Sequence, residues 1–310
     1  MKARAEDRNR IQRDPIEGWK RRIAPAIGAP RAHAMTIDVE DYFQVEAFFG
    51  LVDRDDWENR ERRVEANTDA ILEMLEEANA TATFFTLAWV AQRHPALVRR
   101  IVDAGHELAS HGLEHRRADS QDRAEFLEDA KSARTILEDV SGVQVRGYRA
   151  TSFSISRRNL WAIETLEEAG YSYSSSIYPI RHDLYGIPEA PPVAFHPLVG
   201  RSFMEIPPTS VRMFGANLPC GGGGVFRLLP YWLSTANLRL ASRQRNRPNV
   251  FYFHPWEIDP DQPRIEGLPL RSRLRHYTNL GKMRPKIARL LRDFVWKRVD
   301  RVYPVQSAPA

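Results

Sequence analysis

Between residues 33 and 170 the chain repeats one pattern. A short apolar run rich in β-branched or aromatic residues is followed by a longer stretch with apolar positions three and four apart. Residues 34–37 read as a strand ending at Asp38. Residues 67–80 (NTDAILEMLEEANA) read as an amphipathic helix striped by Ile71, Leu72 and Leu75. Residues 81–87 (TATFFTL) read as a buried strand. Residues 95–104 predict a helix, with Pro95 at its start and Gly105 past its end. Residues 107–110 form a strand running into His111. The spacing of Phe126, Leu127, Ala130, Ala133, Leu137 and Val140 predicts a long helix over 121–141, closed by Gly142. A strand at 145–148 ends at Arg149, a helix follows over 156–169, and a late strand at 249–253 ends at His254.

Repeated strand–helix alternation predicts an α/β fold, a parallel sheet with helices outside, either open or closed into a barrel. In such sheets the reactive groups gather at the carboxyl ends of the strands. Asp38, His111, Arg149 and His254 each follow a predicted strand. His111 and His115 are four residues apart and can meet on one side of a helical turn. A carboxylate from elsewhere, with the Asp38-Val39-Glu40-Asp41 cluster upstream, would complete a three-ligand site with a position left for water, as a hydrolytic metal enzyme needs.

The middle of the chain changes character. Residues 179–230 are rich in proline and glycine and read as an ordered insertion of loops and short strands. The four glycines at 221–224 read as a flexible turn, because no Lys-Ser/Thr pair follows to make a phosphate cradle. Cys220 beside them reads as a structural thiol. Residues 285–299 predict an amphipathic helix with Ile287, Leu290, Leu291, Phe294 and Val295 on its apolar face, packed on the body rather than lying on a membrane.

Composition narrows the class without changing this picture. The 310 residues are 43% hydrophobic and 27% charged, enough for one large core or two smaller ones. No apolar run reaches the roughly 18–20 residues that span a bilayer. One cysteine excludes an internal disulfide framework. The net charge is +5, and residues 1–31 carry nine Lys/Arg against four Asp/Glu. That stretch reads as a disordered basic leader. No apolar segment follows it as in a secretory signal, so a cytoplasmic location is expected. The body shows neither a basic stripe interleaved with aromatics nor zinc-finger spacing, so no nucleic-acid partner is expected.

At these residues the chain resembles the polysaccharide deacetylases of the NodB-homology type, carbohydrate esterase family four. Thr36-Ile37-Asp38-Val39-Glu40-Asp41 approaches that family's first motif, Thr-Phe-Asp-Asp-Gly. His111-Gly112-Leu113-Glu114-His115 matches its His-(Ser/Thr)-x-x-His motif, with glycine at the hydroxyl position. Gly147-Tyr148-Arg149-Ala150-Thr151 and Tyr252-Phe253-His254-Pro255-Trp256 resemble its third and closing motifs. A narrower resemblance is carried by Asp38 to Phe43, by Pro219-Cys220-Gly221-Gly222-Gly223, by His254-Pro255-Trp256-Glu257-Ile258-Asp259-Pro260 and by Arg275-His276-Tyr277-Thr278-Asn279. It is to the branch found beside exosortase/PEP-CTERM exopolysaccharide loci.

The resemblance implies a distorted (β/α) barrel of about seven strands, with a catalytic domain over 32–260 and a C-terminal extension over 261–310 packed on the barrel. It implies a hydrolase of linear amides that removes N-acetyl groups from amino sugars of an exopolysaccharide, with a divalent metal, zinc by preference. His111, His115 and Glu40 would hold the metal, Asp38 would act as base, Arg149 would hold Asp38 ionised and oriented, and His254 would protonate the departing amine. Two departures stand out. The adjacent Asp-Asp pair is absent, so Asp41 rivals Glu40 as ligand; an extended backbone puts Asp38 and Glu40 on one side. Ser174 stands where this branch tends to carry aspartate. Trp256 reads either as a sugar platform or as a core residue, and Glu257 and Asp259 as part of a solvated turn. The competing readings are a metal-independent amide hydrolase on the same barrel, which retention of both histidines disfavours, and a carbohydrate-binding protein that has lost catalysis.

Overall fold

The strand that begins the body, β1 (His33–Val39), is buried almost throughout, as a parallel strand covered on both faces should be. Its two-residue period sorts its side chains. Met35, Ile37 and Val39 pack with Ile71 and Leu75, and with Ile287 and Leu290, from the outer helices. Ala34, Thr36 and Asp38 therefore point into the sheet's concave interior. The computed structural model describes residues 14–25, 31–303 and 305.

The remaining strands follow in chain order: β2 (Thr83–Thr86), β3 (Glu107–Ser110), β4 (Gly147–Tyr148), β5 (Tyr173–Ser174), β6 (Met204–Glu205), the hairpin β7 (Ser210–Met213) and β8 (Ala216–Pro219), β9 (Val250–Phe253) and β10 (Trp296–Lys297). Seven of them run parallel in the order β9-β1-β2-β3-β4-β5-β6, and β10 pairs with the first two residues of β1. The sheet curls into an incomplete barrel, the distorted barrel that the resemblance implies and one of the two forms that the alternation leaves open. Among the described residues no helix is long and apolar enough to cross a membrane.

The helix over Arg123–Ser141 matches expectation closely because both ends are encoded locally. Asp122 and Glu125 form a capping box, and Gly142 closes the far end at φ 72°. Other boundaries shift for non-local reasons. The first large helix spans Val64–Glu77, three residues earlier than its periodicity suggests, because the Asp41 carboxylate accepts the backbone N–H groups of Arg63 (2.8 Å) and Val64 (3.0 Å). The helix expected from 156 starts only at Trp161, since Asn159 holds Ser156 and Ser154 in local turns. The late helix runs Leu280–Asp293, with Pro285 inside it rather than at its start; burial of Leu280 and Met283 recruits the earlier turns. It ends short of 299 because Trp296 and Lys297 pair with β1.

The gap between β6 and β9 is closed by the stretch read as an insertion. Thr209 N–H donates to Val250 O (3.0 Å), Tyr252 N–H to Gly221 O (2.8 Å), and Ile206 N–H to Ser174 O (2.8 Å). The glycines here are not a flexible turn but points of close approach. A Cβ on Gly221 would lie 2.5 Å from Val250 O, and one on Gly223 would lie 2.3 Å from the Glu257 carboxylate. Cys220 is buried, and burial pushes its thiol up to about 12, consistent with a structural role.

The chain ends also join the body. Residues after 261 do more than pack on the barrel: β10 enters the sheet, and Val299, Val302 and Tyr303 plug its floor against Ala34, Phe85 and Val250. Of the basic leader, residues 1–13 and 26–30 lie outside the described residues. The part between them is ordered, with a short helix (Pro15–Trp19) that buries Ile16 and Trp19, whose indole N–H donates to Pro197 O (3.1 Å).

Candidate metal centre and catalytic cleft

The parallel register brings the strand ends together. Ile37 pairs with Phe253, so Asp38 and His254 leave adjacent strands side by side; Ser110 pairs with Tyr148, which does the same for His111 and Arg149. His115 returns on a loop, not on a helical turn as its spacing suggests. Gly112 (φ 87°) and His115 (φ 56°) both take left-handed backbone, which folds the loop back so that the two imidazole centroids stand 5.7 Å apart. A non-glycine residue held there is strained, a feature concentrated at functional sites.

Glu40 completes the cluster. β1 ends in a tight turn, Glu40 N–H to Asp38 O at 3.1 Å, which aims the Glu40 carboxylate inward. Its Oε2 lies 2.8 Å from His115 Nε2 and 3.8 Å from His111 Nε2, and donor atoms of all three residues fall within 4.8 Å of one another. Asp41 is committed elsewhere, to the helix N-terminus at Val64, and so stands apart from this cluster.

The donor set fits a divalent ion. His111 Nδ1 lies 2.8 Å from the Arg149 carbonyl, which can only accept, so the neutral ring carries its proton there and turns a lone pair at Nε2 toward the cluster. Burial holds His111 down to about 4, so its ring is neutral at physiological pH. Burial pushes the Glu40 carboxyl up, but His115, His254 and His111 together outweigh it and hold it at about 2. Trp256 donates to Glu40 Oε1 (3.2 Å), while the buried Oε2 has no aligned hydrogen-bond donor. An ionised, buried oxygen without a donor, facing two imidazole nitrogens, is what a cation would satisfy.

Asp38 is paired with Arg149 at 2.5 Å (Nη1 to Oδ1). The guanidinium is fully buried and held from every side: Nη1 donates to Thr36 Oγ1 (2.9 Å), Nε to Ser175 O (3.1 Å), Nη2 to Ser175 Oγ (2.9 Å), and Phe85 lies 4.1 Å beneath it. Such a pair is costly to break, at about 3–5 kcal/mol, because the survivor is an uncompensated buried charge.

His254 Nε2 sits between the two carboxylates, 3.8 Å from Asp38 Oδ2 and 3.6 Å from Glu40 Oε1. Burial disfavours its charged form, but Glu40, Glu257 and Asp38 outweigh that and raise it to about 9. Glu257 is buried, not part of a solvated turn, and its Oε1 accepts from His254 Nδ1 (2.9 Å). Asp259 is likewise buried and paired with Arg63 (2.5 Å). Trp256 is a core residue whose ring stacks on His254 (5.2 Å between centroids) rather than an open sugar platform. The three-residue spacing of His254 and Glu257 around Pro255 is the local sign that could have revealed this carboxylate. Nothing local marks Arg227, which holds Glu257 at 2.9 Å.

Ser174 sits opposite Glu205 on paired strands, and its hydroxyl bonds Ser176 Oγ (2.7 Å). Glu205 Oε1 accepts the N–H groups of Ser176 and Ile177 (2.8 Å each), fastening the turn that cradles Arg149. Burial raises the Glu205 carboxyl from 4.5 to about 7. A carboxyl raised on folding contributes stability that is fully present below its ordinary value and lost as pH rises through the raised one. Glu205→Gln should therefore match the wild type in stability near pH 5 and exceed it at pH 8, by at most about 3 kcal/mol. Melting curves across that range check this; a constant difference would be the contrary result.

Residues 55–174 match the polysaccharide deacetylase family model, and residues 175–304 match a domain of unknown function (DUF3473). A peptidoglycan-N-acetylglucosamine deacetylase of Bacillus cereus is 30% identical over 71 residues, 23% of this chain and 33% of that protein. A chitooligosaccharide deacetylase of Sinorhizobium fredii is 42% identical over 48 residues, 16% of this chain and 22% of that protein. The matched stretches thus span well under half the length of these curated relatives. A crystal structure from Mycobacterium smegmatis, described as a polysaccharide deacetylase, superposes with a TM-score of 0.56 over 93% of this chain and 98% of that one, at 20% identity, and so shares the fold. Asp38 and Glu40 precede both matched ranges and reach the site through the pairing of β1 with its neighbours. The segment that carries His111, His115 and Arg149, residues 55–174, is thus the part of the chain that matches the polysaccharide deacetylase family model.

Proposed function

We propose that the chain is a metal-dependent deacetylase that hydrolyses N-acetyl groups on amino sugars of a polysaccharide. The observation that carries this is the Glu40, His111 and His115 cluster beside an Arg149-paired Asp38 and a carboxylate-held His254. Glu40, His111 and His115 would hold a divalent ion, zinc fitting two imidazoles and a carboxylate. Such an ion, when bound, polarises the acetamide carbonyl and lowers the pKa of water toward neutrality.

The chain's own residues supply the proton transfers. Asp38 accepts a proton from the attacking water, and Arg149 holds it aimed through the charge-assisted hydrogen bond. His254 delivers a proton from Nε2 to the departing amine, without which the C–N bond does not break, while Glu257 holds Nδ1. Acetate and a free amino sugar result. The relatives' names, which specify N-acetylglucosamine-bearing peptidoglycan and chitooligosaccharides, support the substrate class. The resemblance to the exosortase-associated branch supports an exopolysaccharide as the polymer.

The test is metal analysis of the purified chain, coupled to acetate release from N-acetylglucosamine oligomers with and without chelator. Stoichiometric metal with chelator-sensitive release is expected. Absence of both, even after zinc or cobalt is restored, would sink the proposal.

A further inference from the structure

Arg227 is a buried cation outside the reacting cluster, set near the end of a short helix (Gly223–Leu228). Its guanidinium is fully engaged. Nε donates to Glu257 Oε2 (2.9 Å), Nη1 to the carbonyls of His276 (2.7 Å) and Thr278 (2.9 Å), and Nη2 to that of Arg275 (3.0 Å). Asn279 Nδ2 donates back to the Arg227 carbonyl (3.1 Å). The turn that ends the helix Leu270–Tyr277 is thereby fastened to Glu257, whose other oxygen accepts both Nδ1 (2.9 Å) and the backbone N–H (3.2 Å) of His254.

A second connection reaches the same imidazole from the same turn. The buried His276 ring stacks on Trp256 at 4.3 Å and 13°, and Trp256 stacks on His254 at 5.2 Å and 21°. Gln262 locks the middle of this stack, its Oε1 accepting from His276 Nε2 (2.8 Å) and its Nε2 donating to Trp256 O (2.7 Å). Two routes, one ionic and one stacked, thus converge on His254 from residues 275–279.

We propose that Arg227 and the turn over 275–279 are positioning elements for His254, and that this is one contribution of the domain of unknown function to the reaction. The inference rests on the reading of His254 as proton donor. An imidazole swivels about two side-chain torsions, and a proton donor must stay within hydrogen-bond reach of the leaving nitrogen. Glu257 alone could turn with it. Anchored by a planar fork to three carbonyls, Glu257 cannot, and His254 keeps Nε2 toward the cleft.

The leaving group provides the test. Amine expulsion requires a proton, whereas a 4-nitrophenolate leaves an aryl acetate without one. In the zinc-loaded full chain, Arg227→Ala should lower kcat on N-acetylglucosamine oligomers by about 10–100-fold, as for other supporting-shell losses. KM and the turnover of 4-nitrophenyl acetate should stay within about twofold. Arg227→Lys, which restores charge without the fork, should recover part of the loss. Equal losses on both substrates, or none, would overturn the proposal. If Arg227→Ala does not fold, His276→Ala should give the same split between substrates, and its absence there counts equally against it.

A second readout needs no turnover. The wild type should show a low-field proton resonance from His254 Nδ1, absent in His254→Ala, and Arg227→Ala should shift or remove it. An unchanged resonance would overturn the positioning role. A wild type that releases no acetate from the oligomers would instead overturn the deacetylase reading, and the resonance still decides the relay.

Discussion

His115→Ala is expected to lose stoichiometric metal and to cut acetate release by more than about 100-fold, because even an outer partner of a ligand is worth about 10–100-fold in metal affinity. The variant leaves Glu40 and His111 as a two-donor site, and its Glu40 oxygen loses the nitrogen now 2.8 Å away. His115 sits at φ 56°, where alanine pays about 1–2 kcal/mol and asparagine much less. His115→Asn is therefore the control for backbone strain. Both variants should lose metal by elemental analysis if the imidazole is a ligand. Full metal content and unimpaired turnover in both would remove His115 from the site.

Asp38→Asn should have a comparable effect on turnover with the opposite effect on metal. Losing a positioned base costs about 10²–10⁴-fold in rate. Because Asp38 is outside the proposed donor set, the metal should remain. The substitution also strips the buried Arg149 of its counter-charge, so a loss of stability of up to about 3–5 kcal/mol is expected alongside. Metal content, kcat and a denaturant melt on one preparation separate these effects. Loss of metal in Asp38→Asn would exchange the roles assigned to Asp38 and Glu40; a wild-type rate would deny Asp38 any role as base.

These predictions concern a site assembled almost wholly by the sheet. Thr36 and Asp38, two residues apart on β1, both reach the Arg149 guanidinium from the strand's inward face. Ser175, just past β5, holds the same guanidinium from the opposite side. The candidate reacting groups are thus borne mostly on strand ends whose register leaves little freedom, while left-handed backbone near the site falls in the loops beyond the strands, at Gly112 and His115 and at Ser152 and Phe153.

The chain's own order of residues determined the alternation of strands and helices, the inward face of β1, and the placement of Asp38, His111, Arg149 and His254 at strand ends. Each of these depends on neighbours within a few positions, where side-chain period and capping residues act. Tertiary structure decided the rest. Glu40 rather than Asp41 joins the histidines because Asp41 is claimed by a helix N-terminus more than twenty residues away. His115 meets His111 through a left-handed loop, and not a helical turn, because the sheet and Asp129, which accepts from Leu113 N–H (3.2 Å), hold that loop. Glu257 is buried because Arg227, thirty residues earlier, neutralises it. The glycines at 221–223 are fitted to β9 and Glu257, partners that no local pattern contains. Charge compensation and close approach are properties of residues distant in sequence, and only the folded chain brings them together.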